Sequence, residues 1–369
     1  MSTPATSLPA PHPRSPSTTP VVPDTHSMTQ SDVLEDTAPR GRPRGRTTRR
    51  ALIILLVLIG ILALIVTIGA IWLSARIEGS IHTIGDPFSA LPGRPPRQDP
   101  AAPAEASGQR ATNILILGSD SRISAGDPSQ WQYGAQRTDA IILAHIPGEA
   151  RGATLVSIPR DSWVEIPGHG MAKVNAAFSY GGPSLMIQTV EQLTGVRIDH
   201  FAVADFDSFV RLTNAVGGVR IGSQVLNGEQ ALAYTRQRYG LPGGDFDRIK
   251  RQQNWVRALA SSAADVGREP KQVLELVSAV SGALAVDDGL TLKKLIGLAM
   301  DMRGTNPKDL VFVTVPVKGT GWSPDGTQSI VRLNKHADEE LFQALAQDRA
   351  SAYIAENADE LDILGANVP

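Results

Sequence analysis

Three patterns of hydrophobic and polar residues follow one another along the chain. Up to about residue 50 there is no hydrophobic period, only Pro, Ser and Thr among scattered charges. Residues too polar to bury a core cannot offset the entropy of ordering, so residues 1–50 read as a disordered tail. From Ala51 to Leu73 the sequence runs ALIILLVLIGILALIVTIGAIWL without a charge. At about 1.5 Å per residue those roughly 23 residues reach about 35 Å, enough to cross a hydrocarbon core of about 30 Å with some tilt. Residues 51–73 therefore predict a single transmembrane helix. After a proline-rich stretch at 74–110, which reads as a semi-rigid spacer, short apolar runs begin to alternate with longer amphipathic ones.

The short runs predict strands at Asn113–Leu117, Ala140–Ile146, Ala153–Ile158, Phe201–Val203 and Leu310–Val317. The longer ones predict helices at Pro183–Leu193, Phe206–Val216, Glu229–Tyr234, Arg248–Val266, Pro270–Leu284 and Thr291–Met302. Interleaved strands and helices, with helices available for both faces of a sheet, imply an α/β fold: a three-layer αβα sandwich around a mixed central sheet. The body is expected to occupy 111–346, with 347–369 as a C-terminal tail.

Charge adds an orientation. The first fifty residues hold seven arginines against four acidic residues, about +3, while the whole chain of 369 residues carries −2, leaving about −5 for the part beyond the apolar span. Arginines clustered just before the span, from Arg40 to Arg50, put the N-terminus in the cytoplasm and the body outside, a single-pass protein of the cell membrane. An acidic body argues against nucleic acid as a partner. With no cysteine, disulfides, thiolate metal sites and cysteine nucleophiles are excluded. No GxxxxGK[ST], HExxH or GxSxG pattern is present. His145 and His200 read as satisfied core histidines, and Ser119 and Ser157 lack an evident base.

The informative polar residues stand at strand ends. NILIL runs into Gly118-Ser119-Asp120-Ser121-Arg122, Arg137-Thr138-Asp139 leads into AIILAHI, and ATLVSI ends at Pro159-Arg160-Asp161. If the three strands form a meander, Asp120, Asp139 and Arg160 share one sheet edge. Hard cations such as Mg²⁺ take one or two carboxylates and let phosphate oxygens fill the remaining positions, so this edge suits a metal-bridged phosphate or pyrophosphate. Each residue taken alone is an ordinary turn aspartate or surface arginine. A second cluster lies in ALAYTRQRYGLPGGDFDRIKRQQ. In extended chain Arg236 and Arg238 point the same way, Arg248 and Gln252 share a helix face, and Asp245 stands where an N-cap would. Arginine suits bidentate phosphate contacts, and a solvated basic loop is the competing reading.

The series NILILGSDSR, RTDAIIL, VSIPRDSWVEIPG, KVNAAFSYGG, NAVGGV, LNGEQALAYTRQR and GDFDRIKRQQ resembles the LytR-CpsA-Psr family of cell-wall ligases, from about Thr112 to Leu345. The resemblance implies a phosphotransferase outside the membrane that moves a glycosyl phosphate from a polyprenyl-pyrophosphate-linked glycan to peptidoglycan. It implies Asp120 and Asp139 as Mg²⁺ ligands and Arg137, Arg160, Arg236, Arg238 and Arg248 as pyrophosphate-binding arginines, with Lys173, Asp245 and Gln252 in support. It also implies an apolar pocket for the polyprenyl chain, expected around Phe178, Phe206 and Phe209. One departure is the short stretch Val219 to Val225, where relatives carry a longer excursion. A hydrolase of the same lipid-linked donors, or a membrane-anchored regulator or binding module, are the alternatives.

Overall fold

The computed structural model describes residues 82–97, 110–119, 138–149, 151–237, 240–266, 283–302 and 305–368. The tail at 1–50, the span at 51–73 and most of the spacer lie outside them, as do Asp120, Arg137, Arg238 and nearly all of the helix expected at Pro270–Leu284. No helix among the described residues is long and apolar enough to cross a membrane.

In chain order the elements begin with β1 (His82–Thr83), β2 (Thr112–Ser119), β3 (Thr138–Ile146), β4 (Ala153–Ser157), the hairpin β5 (Trp163–Ile166) and β6 (Gly170–Lys173), and α1 (Ala176–Thr194). There follow β7 (His200–Ala204), α2 (Phe206–Ala215), the hairpin β8 (Val219–Ile221) and β9 (Gln224–Leu226), α3 (Gly228–Arg236) and α4 (Asp245–Val266). The last part comprises β10 (Leu284–Val286), α5 (Leu292–Asp301), β11 (Leu310–Thr314), the hairpin β12 (Val317–Trp322) and β13 (Ser329–Leu333), α6 (Lys335–Ala346), α7 (Ala350–Glu356) and β14 (Asp362–Ile363).

Eight strands form one mixed sheet in the order β1-β10-β7-β2-β3-β4-β11-β14. The pairs β2–β3 and β3–β4 are antiparallel, so the expected meander is present, while β7 joins β2 and β11 joins β4 in parallel. Alternation along β2 sends its side chains to two cores. Leu115 and Leu117 pack with Leu143, Phe178 and Met186 on the face covered by α1 and α6. Ile114 and Ile116 turn the other way, towards Ile142, Leu155 and Val256 of α4. β4 is buried at all five positions, as expected for a strand covered on both faces.

Three boundaries differ from expectation. Residues 82–97, expected within a spacer, are docked on the body: β1 pairs with β10, and Phe88 and Leu91 pack against the larger core. The Arg94 guanidinium reaches Glu191, which is 4% exposed, at 2.6 Å, and the Glu191 carboxylate also accepts the Ile198 N–H. A carboxylate left alone at that depth would cost several kcal/mol, which is what ties the strap down. Leu284 belongs to a strand paired with Ala204, not to a helix end. The sheet also continues past 346, because α7 buries Ala350 and Ile354 and β14 pairs with β11.

Candidate functional site

The meander brings the end of β2, the start of β3 and the end of β4 to one edge, where Ser119 pairs with Thr138 beside a bulge. Asp139 projects there, and Arg160, just past β4, donates to its carboxylate in a short ion pair. The first turn of α4 completes the group from across the edge. Arg248 lies 2.7 Å from Asp245 and 3.9 Å from Asp139, and Arg160 is 3.7 Å from Asp245. Two carboxylates and two guanidinium groups thus alternate around one point. Arg248 is 2% exposed, and a cation so buried persists only when paired. Burial disfavours the charged form of Arg160, but Asp245, Asp139 and Asp161 together outweigh it and hold the group above its ordinary value.

Lys173 joins at one remove. Its ammonium is 3.0 Å from Asp161, which in turn is 3.6 Å from Arg160. Asp161, visible in the sequence only as the residue after Arg160, is therefore the link that sequence reasoning passed over. Gln253 was also missed. It is 1% exposed and donates to Ser157 Oγ at 2.9 Å, pinning α4 to the end of β4. Its neighbour Gln252 was singled out instead, since the i, i+4 spacing from Arg248 is the only signal the sequence offers. Thr138 is fully buried beside Asp139, with no hydrogen-bond partner for its hydroxyl among the described residues.

Behind this edge a cavity of about 700 Å³ lies between the sheet and α2, α3 and α4. Ile116, Ile142 and Leu155 form its floor, and Phe206, Phe209, Leu232 and Trp255 form much of its wall. Phe209 and Trp255 stack at 3.9 Å between ring centroids. Asp139, Arg236, Arg248 and Gln252 line the same cavity. Its volume is that of a ligand pocket, with an apolar interior and a few charged groups at one end. Phe178 is not part of it: that ring is 1% exposed in the core on the opposite face of the sheet, 6.5 Å from Phe201. Arg236 also differs from expectation. It closes α3, which starts with a capping box between Asn227 and Gln230, and its guanidinium sits 4.2 Å above the Phe206 ring.

The structure thus joins Asp139, Arg160, Asp245 and Arg248 directly, sets Arg236 and Gln252 on the wall of the same cavity and connects Lys173 through Asp161. Asp120, Arg137 and Arg238 lie outside the described residues. His145 bonds to Asn113 and Asp348, and His200 faces Asp287, both as satisfied core groups away from this edge.

The sequence model of the LytR_cpsA_psr family matches residues 95–224 and 221–347. The chain belongs to this family. Among curated relatives, the probable cell wall biosynthesis protein LcpB of Corynebacterium glutamicum is 37% identical over 60% of this chain, which spans little more than half of that relative, 58%. The polyisoprenyl-teichoic acid–peptidoglycan teichoic acid transferase TagU of Enterococcus faecalis is 29% identical over 62% of this chain and 79% of its own length. Among solved structures, TagT bound to LI-WTA superposes with a TM-score of 0.51 at 25% identity, covering 65% of this LytR_cpsA_psr chain and 91% of TagT.

Proposed function

We propose that this protein is a phosphotransferase of cell-wall assembly, which moves a glycosyl phosphate from a polyprenyl-pyrophosphate-linked glycan to peptidoglycan. One observation carries the reading: a cluster of arginines and carboxylates stands at the charged end of an apolar cavity. That arrangement matches an amphiphile with a pyrophosphate head and a hydrocarbon tail. The names of TagU and of TagT bound to LI-WTA support it.

Phosphoryl transfer needs positioning and charge neutralisation more than covalent chemistry from the protein. Arg160 and Arg248, held in place by carboxylates, would turn part of their donor capacity to phosphate oxygens with little movement of their side chains. Arg236, held over Phe206, would reach the head from the opposite wall, and Arg137 and Arg238 belong to the proposal as further pyrophosphate-binding arginines. Gln252 and Lys173 would orient neighbouring groups, and Asp245 would keep Arg248 in place.

Mg²⁺ belongs to the proposal, with Asp120 and Asp139 as its ligands. No group of three or more His, Cys, Asp or Glu capable of holding a metal occurs among the described residues. The chemistry of the edge still fits a cation that takes one or two carboxylates and completes its shell with phosphate oxygens. When bound, it would neutralise charge building on the pyrophosphate. The body would work outside the membrane, tethered by residues 51–73, where a lipid-borne donor diffuses.

The test uses the full chain in lipid nanodiscs with a polyprenyl-pyrophosphate-linked glycan. Donor cleavage should rise at least about tenfold, or about 1.4 kcal/mol of barrier, when peptidoglycan fragments are added, with glycan joined to them through phosphate. A bound acceptor brings its hydroxyl at an effective concentration that loosely held water lacks. Equal cleavage without acceptor and no phosphodiester product would replace the transferase with a hydrolase.

A further inference from the structure

Helix α4 has a second lined face. Arg248, Gln252, Trp255 and Leu259 look into the apolar cavity, whereas Arg251, Asn254, Arg257 and Ser261 look into a separate groove of about 1330 Å³. The groove runs between α4, the β8–β9 hairpin, β11 and the edge strand β14. Its charge is one-sided. Arg220, Arg251, Arg257 and Lys308 line it, and no aspartate or glutamate among the described residues does. This basic lining belongs to a body whose overall charge is negative.

Two of these cations donate to neutral acceptors. Arg251 donates to the Tyr234 carbonyl and to Gln237 Oε1 at 2.8 Å and lies over the Tyr234 ring. Arg257 donates to the Gly365 carbonyl and to Asn254 Oδ1. Burial pushes the Arg257 guanidinium below its ordinary value, with only Tyr234 opposing. Arg220 and Lys308 are exposed. An open trough with preorganised guanidinium groups and no lining carboxylate favours an anion along its length.

The groove starts at Tyr234 and Arg251, one helical turn from Arg248, and reaches Ser261 and Ser262, about 15 Å further along α4. Its near end thus lies one helical turn from Arg248, and the thickness of one helix separates it from the lipid cavity. The family match breaks into two segments that meet at 221–224, the tip of the β8–β9 hairpin. Here the hairpin turns in two residues, Gly222 and Ser223, and Arg220, Ile221 and Val225 form the groove wall. A compact hairpin at this place leaves the trough open.

We propose that this groove binds the acceptor, a peptidoglycan strand recognised by the carboxylates of its stem peptides, and delivers its hydroxyl to the charged edge beside Arg248. The proposal rests on the transferase reading, since it assigns the second substrate of that reaction. A donor occupying the cavity fills the other face of α4, so a second substrate needs its own approach, and charge complementarity selects the anionic one.

The experiment measures binding of soluble peptidoglycan strands with intact stem peptides to the full chain in nanodiscs. Polyprenyl pyrophosphate binding is measured in parallel. Wild-type protein should bind the strands in a salt-sensitive manner. The pair Arg220→Gln and Lys308→Gln, both at exposed positions and checked by an unchanged melting curve, should weaken strand binding about tenfold. Adding Arg257→Gln should weaken it further, and strands stripped of stem peptides should bind at least about tenfold less well than intact ones. Wild-type strand affinity in the double variant, equal binding of stripped strands, or competition by vesicles of anionic lipid would overturn the proposal. A chain that binds lipid pyrophosphate but no strand refutes the groove alone. One that binds strands through these cations but no lipid pyrophosphate refutes the transferase reading and leaves the groove as a strand-binding site.

Discussion

The Arg248 guanidinium, 2% exposed, is buried with the carboxylates of Asp245 and Asp139 facing it, which offsets the cost of taking its charge out of water. The same logic explains why lysine cannot replace arginine in this cluster: one ammonium has neither the planar fork nor the reach to serve two carboxylates and a phosphate together. Arg160→Lys should lower turnover by at least about tenfold while leaving the melting temperature within a few degrees. A steady-state assay beside a thermal melt checks this, and wild-type turnover would reduce Arg160 to a surface ion pair. Asp338 gives a second residue-level expectation. Burial first, and Glu339 second, raise its carboxyl from 3.8 to about 7. The folded state therefore keeps a proton that the unfolded chain loses, so stability falls as pH rises from about 4 to about 7 and is then level. Asp338→Asn should gain in melting temperature over wild type on going from pH 5 to pH 8. A constant difference across that range would contradict the assignment.

Strand β1 and the Arg94–Glu191 pair act at the scale of an element, fastening residues 82–97 to α1 and β10. Glu191→Ala leaves Arg94 without its carboxylate and the Ile198 N–H without its acceptor, and should cost about 3 kcal/mol in chemical denaturation. A change below about 0.5 kcal/mol would show the strap to be superficial. This strap was illegible in the sequence because prolines at 87, 92, 95 and 96 speak for an extended spacer, while the partner that holds it lies almost a hundred residues on. The meander was legible, since β2, β3 and β4 are long runs of apolar residues bounded by polar ends. The hairpins β5–β6 and β8–β9 were not: GMAK and QVL are too short and too exposed to show a period of two. Strand β10 is buried but only three residues long, too short to show a period, and the expected helix at Pro270–Leu284 runs into its first residue. At the site, Asp139 and Arg160 followed from strand-end logic. Arg236 did not, because α3 runs two residues past its expected end at Tyr234 and so places Arg236 on a helix and not in extended chain. Phe178 shows the limit of composition: an aromatic near a pocket motif can belong to either face, and its stacking on Phe201 decides which.

For the whole molecule, the account needs the body to meet a membrane-borne donor. Periplasmic or extracellular reporters fused after Pro369 should be active and cytoplasmic ones silent, as expected from the arginines before an uncharged span at 51–73. The opposite pattern would remove the donor from reach. The central claim is narrower: the cavity between the sheet and α2, α3 and α4 takes the hydrocarbon tail while the cluster of Asp139, Arg160, Asp245 and Arg248 takes the pyrophosphate. Photo-crosslinking tests it most directly, using a polyprenyl pyrophosphate with a diazirine in its tail, the full chain in nanodiscs, and mass spectrometry to locate the label. The account predicts saturable labelling within 206–215, 228–236 or 245–266, competed by unlabelled polyprenyl pyrophosphate far better than by the unphosphorylated alcohol. Labelling confined to α1 and α6 on the opposite face of the sheet, or equal competition by the alcohol, would contradict it.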